Sequence, residues 1–538
     1  MIGYYINNNY IADSNGNVAS GLKGLKVLDY MIKDSLEPAI MYDLDACVAS
    51  LLAQIGLTFN EAEYLLKNNR VQIAGYTLKY YYSKLFCIDY GIGHGKKFRN
   101  FFNAKQFGCC RLDDYDEQQG IEMAKRAARI AENTIEGLKV LDLPYYKLTS
   151  PVSLYLKSSK GKALNFPTID DLPELEIGEL AYESLRGNWL EAYKAGYWDN
   201  AYDYDINGAY AAEIANLPDL RLGDWVNSTD IPEFAMLGFA KGALNITSDF
   251  HPFVIKTQNG ENLLPVGEDI EQTLALNKIK LLQQYPEVGT FEIQNGWWWI
   301  PNKPLQYPFK KEIQRLYDLR QQYYNTKAGT MLHRIMAGLW GKLLEFHNNK
   351  LGENFNPVYG ATVESNVACK VFASCKANGV VPLHVAVDGI VTDRPLQLNI
   401  SNKLGDWRLS HKGKCIIINA GTVGFEGKNG KEEFSITYEW LYNAFTANPD
   451  LSEYTMQKNT FVSLRKAVKQ NRLADIGKIE KLNRTVYANE GNRRLWDDSF
   501  TCGTDVLTKQ ISSVALPYNS IVKLQNTIEE DFRIWGAM

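Results

Sequence analysis

Residues 201–218, AYDYDINGAYAAEIANLP, restrict the fold more than any other stretch of the chain. Tyr202, Tyr204 and Ile206 alternate with Asp203 and Asp205, which is the period of a strand with one polar face. Asn207 and Gly208 then form a tight turn, and 209–215 reads as a helix. An acid at the end of a strand that turns directly into a helix can hold a metal ion beside a phosphate. The plainer alternative is that Asp205 only caps the helix.

Such a motif needs a scaffold, and the chain is long enough to supply one. Its 538 residues suffice for roughly three or four domain-sized units. Hydrophobic residues at 45% and charged residues at 22% describe an ordinary globular protein. The net charge of −4 gives no overall basic field, so any nucleic-acid site must be locally basic. The 32 Tyr and 11 Trp serve packing first, although exposed rings also stack on bases. Eight Cys without a CxxC pair argue against zinc and against a disulfide framework, and fit reduced thiols in a cytoplasm. No signal peptide opens the chain, and no apolar run reaches the ~18 residues of a membrane span. A cytoplasmic monomer without membrane contact is expected.

Two further stretches follow 201–218 in order. Residues 308–325 and 329–347 read as paired helices joined at Thr326, Lys327 and Ala328. In the second, Leu332, Ile335, Met336, Leu339, Trp340 and Leu343 form an apolar stripe. His333, Ala337 and Gly341 line the opposite face, flat enough to admit a nucleotide base pair. Residues 380–395, VVPLHVAVDGIVTDRP, read as a hairpin with a type I′ turn at Asp388-Gly389.

These stretches resemble the three motifs of family-B DNA polymerases, in family order and at intervals suited to a palm interrupted by fingers. Asp205-Ile206-Asn207-Gly208-Ala209-Tyr210-Ala211 resembles motif A, DxxSLYP, with Asp and Tyr in register and Ser, Leu and Pro replaced. The segment 333–341 resembles motif B, KxxxNSxYG, with His333 in the place of Lys and Arg334 beside it. His384-Val385-Ala386-Val387-Asp388-Gly389 resembles motif C, YxDTDS, with Asp388 as the metal-binding acid, Ala386 for the first Asp and His384 for Tyr. A register shifted by two would match the first Asp but put Ile390 at the metal.

The resemblance implies an α/β (α+β) multidomain fold, a right hand of palm, fingers and thumb behind an RNase H-like exonuclease-type domain. It looks closest to the protein-primed branch of phages and linear plasmids, which implies a host-cell cytoplasm. It implies template-directed addition of dNTPs to a primer 3′-hydroxyl. Asp205 and Asp388 would hold two Mg²⁺ (or Mn²⁺) about 4 Å apart. Tyr210 would lie under the sugar, with Arg320, Lys327, His333 and Arg334 toward the triphosphate and Ala337 and Gly341 beneath the base pair. Primer–template DNA, dNTPs and a terminal or other priming protein are the implied partners. The rival is a catalytically silent relative that binds nucleic acid or a replication protein, favoured by His333, Ala386 and Gly208.

Residues 1–155 form a mixed α/β unit in which 39–46 is strand-like and 48–56 helical, with Asp43 and Asp45 on one strand face. They resemble the first exonuclease carboxylates. Asn103 stands where a further Asp would serve, and Ala124, Ala127 and Ala128 where a Tyr and an Asp are expected, so this domain is expected to be inactive. Ser158–162 reads as a loop leading out of it. Leu185-Arg186-Gly187-Asn188 resembles the YxGG turn, placing Arg186 and Gly187 near template phosphates. Residues 156–303 form the first palm segment with room for an insertion, 304–350 the fingers, and 351–404 the second palm segment. Residues 405–538, with a turn at Asn429-Gly430, form the thumb and C-terminal domain. Between Lys458 and Arg494 lie ten Lys or Arg against three Asp or Glu. Lys478, Lys481, Arg484, Arg493 and Arg494 are the expected DNA contacts there.

Overall fold

The computed structural model describes residues 1–33, 38–91, 97–108, 110–144, 150–256, 260, 262–347, 350–428, 436–447, 453–487, 493–497 and 507–518. Its first layer is an eight-stranded mixed sheet. Strand Ile2–Ile6 pairs parallel with Ala39–Met41, which pairs parallel with Lys97–Asn103. Alternation along these strands sends Tyr4, Ile6, Met41 and Phe101 into one core, and Tyr5, Ile40 and Phe102 into another. Helices Leu25–Ile32 and Leu44–Ile55 cover the first face. Helix Glu117–Val140 covers the second, and its Ala124, Ala127 and Ala128 are buried there. A Cβ on Gly3 would lie 2.0 Å from the Ala124 carbonyl oxygen, so helix and strand meet backbone to backbone. Those alanines are the condition for that approach.

The strand expected over 39–46 stops at Met41, and Asp43 and Asp45 do not share a strand face. Asp43 is the N-cap of helix Leu44–Ile55, accepting from the Ala46 N–H at 3.3 Å, and Asp45 stands in its first turn. The short capping side chain wins over the apolar pattern that suggested a strand. Residues 159–162 likewise form a helical turn capped by Ser158 rather than a loop.

A second eight-stranded sheet carries the residues of interest. Its central member is the long strand Lys194–Ile206, flanked by Gly389–Thr392 on one side and Trp407–Asn419 on the other, both antiparallel. His384–Ala386 and Leu190–Ala192 extend the first side, and Thr422–Phe425 the second. Helix Pro357–Ala377 packs against the apolar face of this sheet through Val367, Val371 and Phe372. Residues 219–303 form a four-stranded antiparallel sheet in which Trp298 and Trp299 are fully buried, while Trp297 donates through Nε1 to Glu176 at 2.8 Å. This aromatic patch is packing. Helices Lys310–Gln322 and Lys327–Leu343 form an antiparallel hairpin whose apolar stripe faces the same core as helix Glu117–Val140.

The C-terminal part returns to the start of the chain. Strands Glu453–Phe461 and Ile479–Tyr487 pair as a hairpin, and Val462, Leu464, Ala467 and Ile476 join the core of the N-terminal sheet. The turn expected at Asn429-Gly430 lies outside the described residues. The described cysteines carry free thiols. Among the described residues no helix is long and apolar enough to cross a membrane.

Candidate active site

The strand Lys194–Ile206 brings Asp205 to its end, level with Gly389 on one neighbour and Arg408 on the other. Asp205 does not cap the following helix. The N-cap of Ala209–Ala215 is Gly208, at φ 58, with no side-chain cap. The Asn207 side chain instead donates through Nδ2 to the Ser401 carbonyl at 2.7 Å, fixing the turn to the loop before Trp407–Asn419. Asp205 is left facing a cavity of about 180 Å³ with Asp388, Tyr210, Arg320, His333, Ala337 and Arg408 around it.

Asp388 reaches this cavity from the expected hairpin, but the turn is one residue earlier than Asp388-Gly389. Ala386 pairs with Gly389, so Val387 and Asp388 are the two turn residues. Val387 has φ 61, a left-handed conformation that costs a β-branched residue roughly 1–2 kcal/mol. Pairing with the neighbouring strands overrides the local Asp-Gly preference. The Val387 N–H donates to the Trp189 carbonyl at 2.8 Å and the Ile206 N–H to the Asp388 carbonyl at 3.2 Å. Held there, the Asp388 carboxyl is pushed up to about 6, by burial first and by the Asp205 charge second.

Arg408 was not singled out by the sequence. Its guanidinium donates twice to Asp205 Oδ2, from Nε at 3.1 Å and from Nη2. Only strand register joins these residues, which are far apart in the chain. Arg320, half-buried, faces the same cavity from helix Lys310–Gln322, and burial pulls its guanidinium pKa down.

On helix Lys327–Leu343, His333, Ala337 and Gly341 form an exposed face, and a Cβ at Gly341 would meet open space. Two expected cations do not join it. Lys327 pairs with Glu136 at 2.6 Å, and Arg334 donates to the Gln106 carbonyl and lies 5.6 Å from the Phe107 ring. One helical position past His333, Arg334 points to the N-terminal unit. Tyr210 lies at the cavity edge, 4.9 Å between ring centroids from Trp340, and donates to Asn188 Oδ1 at 3.1 Å.

No protein-family model and no curated protein matches the sequence. Solved structures do match in shape. An orthorhombic crystal form of Phi29 DNA polymerase aligns at TM-score 0.61 and 13% identity, over 91% of this chain and 100% of that one. Its complex with primer–template DNA gives 0.60 and 13%, over 91% and 99%. Its complex with single-stranded DNA gives 0.59 and 14%, over 91% and 99%. The chain shares the fold of Phi29 DNA polymerase. Its similarity to Phi29 DNA polymerase runs through nearly the whole length of both proteins.

Outside the cavity, several expected DNA contacts prove to be internal. Arg186 is buried, with Nε 3.2 Å from Gln272 Oε1, while Gly187 is exposed at φ 95. The Gly187 N–H donates to Glu364, a fully buried acid on helix Pro357–Ala377 whose pKa burial lifts to about 7 despite Lys278 and Arg186 nearby. Arg493 donates to the Leu190 carbonyl at 3.0 Å. Arg494 donates to Ser513 Oγ at 2.8 Å and lies 4.5 Å from the Tyr193 ring. Both tie the C-terminal segment to the central sheet. Lys478 pairs with Asp475 at 2.7 Å and remains exposed, as does Lys481. Arg484 lies on strand Ile479–Tyr487, and its side chain is outside the described residues. Lys466 and Arg472 share Glu480.

In the N-terminal unit Asp43, Asp45 and Asn103 do converge, but their oxygens are occupied. Lys105 Nζ lies 2.9 Å from Asp43 Oδ2. Asp45 accepts from Tyr80 Oη, from Ser83 Oγ and from the Ser83 N–H at 2.9 Å. Asn103 Oδ1 accepts from the Leu44 N–H at 3.1 Å, and its Nδ2 donates to the Ser83 carbonyl at 3.2 Å. Lys105, also missed in the sequence, puts an ammonium beside the acid that a metal ion would need.

Proposed function

We propose that this chain is a template-directed DNA polymerase that adds dNTPs to a primer 3′-hydroxyl, replicating a phage or other mobile-element genome. The observation that carries it is the convergence of Asp205, at the end of Lys194–Ile206, and Asp388, in the turn that leads into the neighbouring strand Gly389–Thr392, on a cavity floored by the helix of His333, Met336 and Ala337. The central sheet is then the palm, the helical pair 310–343 the fingers, and the C-terminal segment the thumb.

The donor set suits Mg²⁺. Burial first and the Asp205 charge second raise the Asp388 pKa, and a divalent cation would relieve the repulsion between the two carboxylates. Among the described residues no group of three or more Asp, Glu, His or Cys side chains is placed to hold a metal ion. Mg²⁺ is commonly held by one or two carboxylates, with waters and substrate phosphates completing the octahedron. Bound there, two such ions would acidify the primer hydroxyl and neutralise phosphate charge. The protein's own groups do the placing. Arg320 supplies a cation toward the triphosphate, where motif B has Lys and this chain has His333. Ala337 and Gly341 leave a flat floor for the base pair, and Tyr210 blocks the space beneath the sugar C2′. The N-terminal unit serves as an exonuclease-like scaffold without cleavage. A terminal or other priming protein remains the proposed partner at initiation.

Primer extension with Mg²⁺ and dNTPs tests the reading. Asp205→Asn and Asp388→Asn should each lower extension by about a hundred- to a thousandfold, as losing a charge-stabilising group does, while duplex binding persists. Normal extension by Asp388→Asn would leave Val387-Asp388 as a turn and nothing more. Absence of extension by the wild type, with intact DNA binding, would favour the silent, nucleic-acid-binding relative.

A further inference from the structure

The cavity holds a cation that the motif comparison does not provide for. Arg408 begins the strand Trp407–Asn419 directly opposite Asp205, and both of its hydrogen bonds fall on the same oxygen, Oδ2. A carboxylate oxygen that accepts twice from a guanidinium is a poor ligand for a second cation. A metal that takes Asp205 through Oδ2 or through both oxygens therefore competes with the ion pair, and by either oxygen the two cations share one negative charge.

The rest of the cavity shows where the displaced guanidinium can go. His333 stands where a lysine would meet phosphate, and Lys327 and Arg334 are engaged elsewhere. Among the described residues lining the cavity, Arg320 and Arg408 are its two permanent cations. Arg408 is 44% exposed, so its side chain can swing about the strand without opening a hole in the core. Its planar fork matches a phosphate as well as a carboxylate.

We propose that Arg408 is a transferable counter-ion, pairing with Asp205 in the substrate-free protein and moving to a substrate phosphate oxygen once a divalent cation takes Asp205. This rests on the polymerase reading of the cavity. It makes Arg408 part of the phosphate-binding set and makes metal entry at Asp205 dependent on substrate. The phosphate belongs either to the incoming triphosphate or to the DNA backbone.

Three titrations separate these possibilities, with wild type, Arg408→Ala, Arg408→Lys and Asp205→Asn as full-length proteins of verified thermal stability. The first follows Mn²⁺ binding by electron paramagnetic resonance without DNA or nucleotide. Arg408→Ala should bind Mn²⁺ several-fold more tightly, because its competitor is gone. The second follows dATP binding with Ca²⁺ and primer–template present, and the third duplex binding alone. Arg408→Ala should lose on the order of tenfold in one of them, the value of a charged hydrogen bond. Loss in the second assigns the triphosphate, and loss in the third assigns the DNA backbone. Arg408→Lys, which keeps the charge but not the fork, should fall between. Unchanged Mn²⁺ affinity in Arg408→Ala, or no weakening in either phosphate titration, overturns the proposal. Should Asp205→Asn bind Mn²⁺ and extend primers like wild type, Asp205 is no metal ligand and the polymerase reading of this cavity falls. Should Asp205→Asn lose both while Arg408→Ala matches wild type throughout, only the counter-ion falls.

Discussion

Tyr210 is held from two sides, by the Trp340 ring and by Asn188. If the ring lies beneath the sugar, wild-type protein should strongly prefer dNTPs, and Tyr210→Val should admit ribonucleotides while the carboxylates stay competent. If the ring is only packing, the same change opens a cavity costing on the order of 3 kcal/mol and lowers use of both nucleotides alike. Incorporation of dNTPs and rNTPs measured side by side decides, and an unchanged ratio in a folded variant removes Tyr210 from the site. Glu364 offers a residue-scale test of a different kind. Its carboxyl titrates near 7 in the native protein against an ordinary 4.5, so between those values the native state holds a proton that the unfolded chain releases. Stability falls as pH rises through that window, by up to about 3 kcal/mol. Glu364→Gln stays neutral, so its Tm relative to wild type should climb between about pH 5 and about pH 8. A flat difference would show that Glu364 keeps one charge state across the range.

Elements were legible in the sequence where their signal is local. The alternation of 202–206 and the helix 209–215 stand as read, because burial on one face enforces both periods. The pair of helices stands too, with Thr326 capping the second through the Gly329 N–H at 3.2 Å. Long-range contacts left no such trace. Nothing near Asp205 announces Arg408, nothing near Asp43 announces Lys105, and the Asp388 turn moved by one residue because its neighbours set the register. The burial of Arg186 and Arg494 is hidden for the same reason: a basic residue looks alike in sequence whether it meets solvent or fills a buried network. The converged but occupied cluster of Asp43, Asp45 and Asn103 carries a prediction at this scale. No 3′–5′ degradation of single-stranded DNA should occur under conditions that support synthesis. Degradation by wild type that vanishes in Asp43→Ala would mean that Lys105 yields its place to a metal.

On the scale of the whole molecule, residues 462–476 share one core with the N-terminal sheet and its helices. Val462, Leu464, Ala467 and Ile476 are packed with strands and helices drawn from the first hundred or so residues. The contact is tightest at Gly477, whose φ is 78 and where an added Cβ would lie 2.4 Å from Asn8 Oδ1 and 2.7 Å from Ser50 Cα. Beside it Asn8 Nδ2 donates to the Ile476 carbonyl at 2.9 Å. Gly477→Val therefore meets a left-handed backbone and a wall of backbone atoms together, a loss of at least about 2–3 kcal/mol. A lowered Tm and faster proteolysis within 453–487 are expected, with Gly477→Ala affected less. If the C-terminal segment closes over the duplex in the proposed polymerase, the variant should also release DNA sooner and make shorter products per binding event. Its first nucleotide addition should persist, since Asp205, Asp388 and Arg320 belong to other elements. Product length on a long template, with trap DNA added after binding, separates the two quantities. Shorter products with normal first addition tie docking of this segment to retention of DNA. Equal loss of both would mean that Gly477 supports the fold as a whole, and unchanged products in a destabilised variant would detach this contact from DNA altogether.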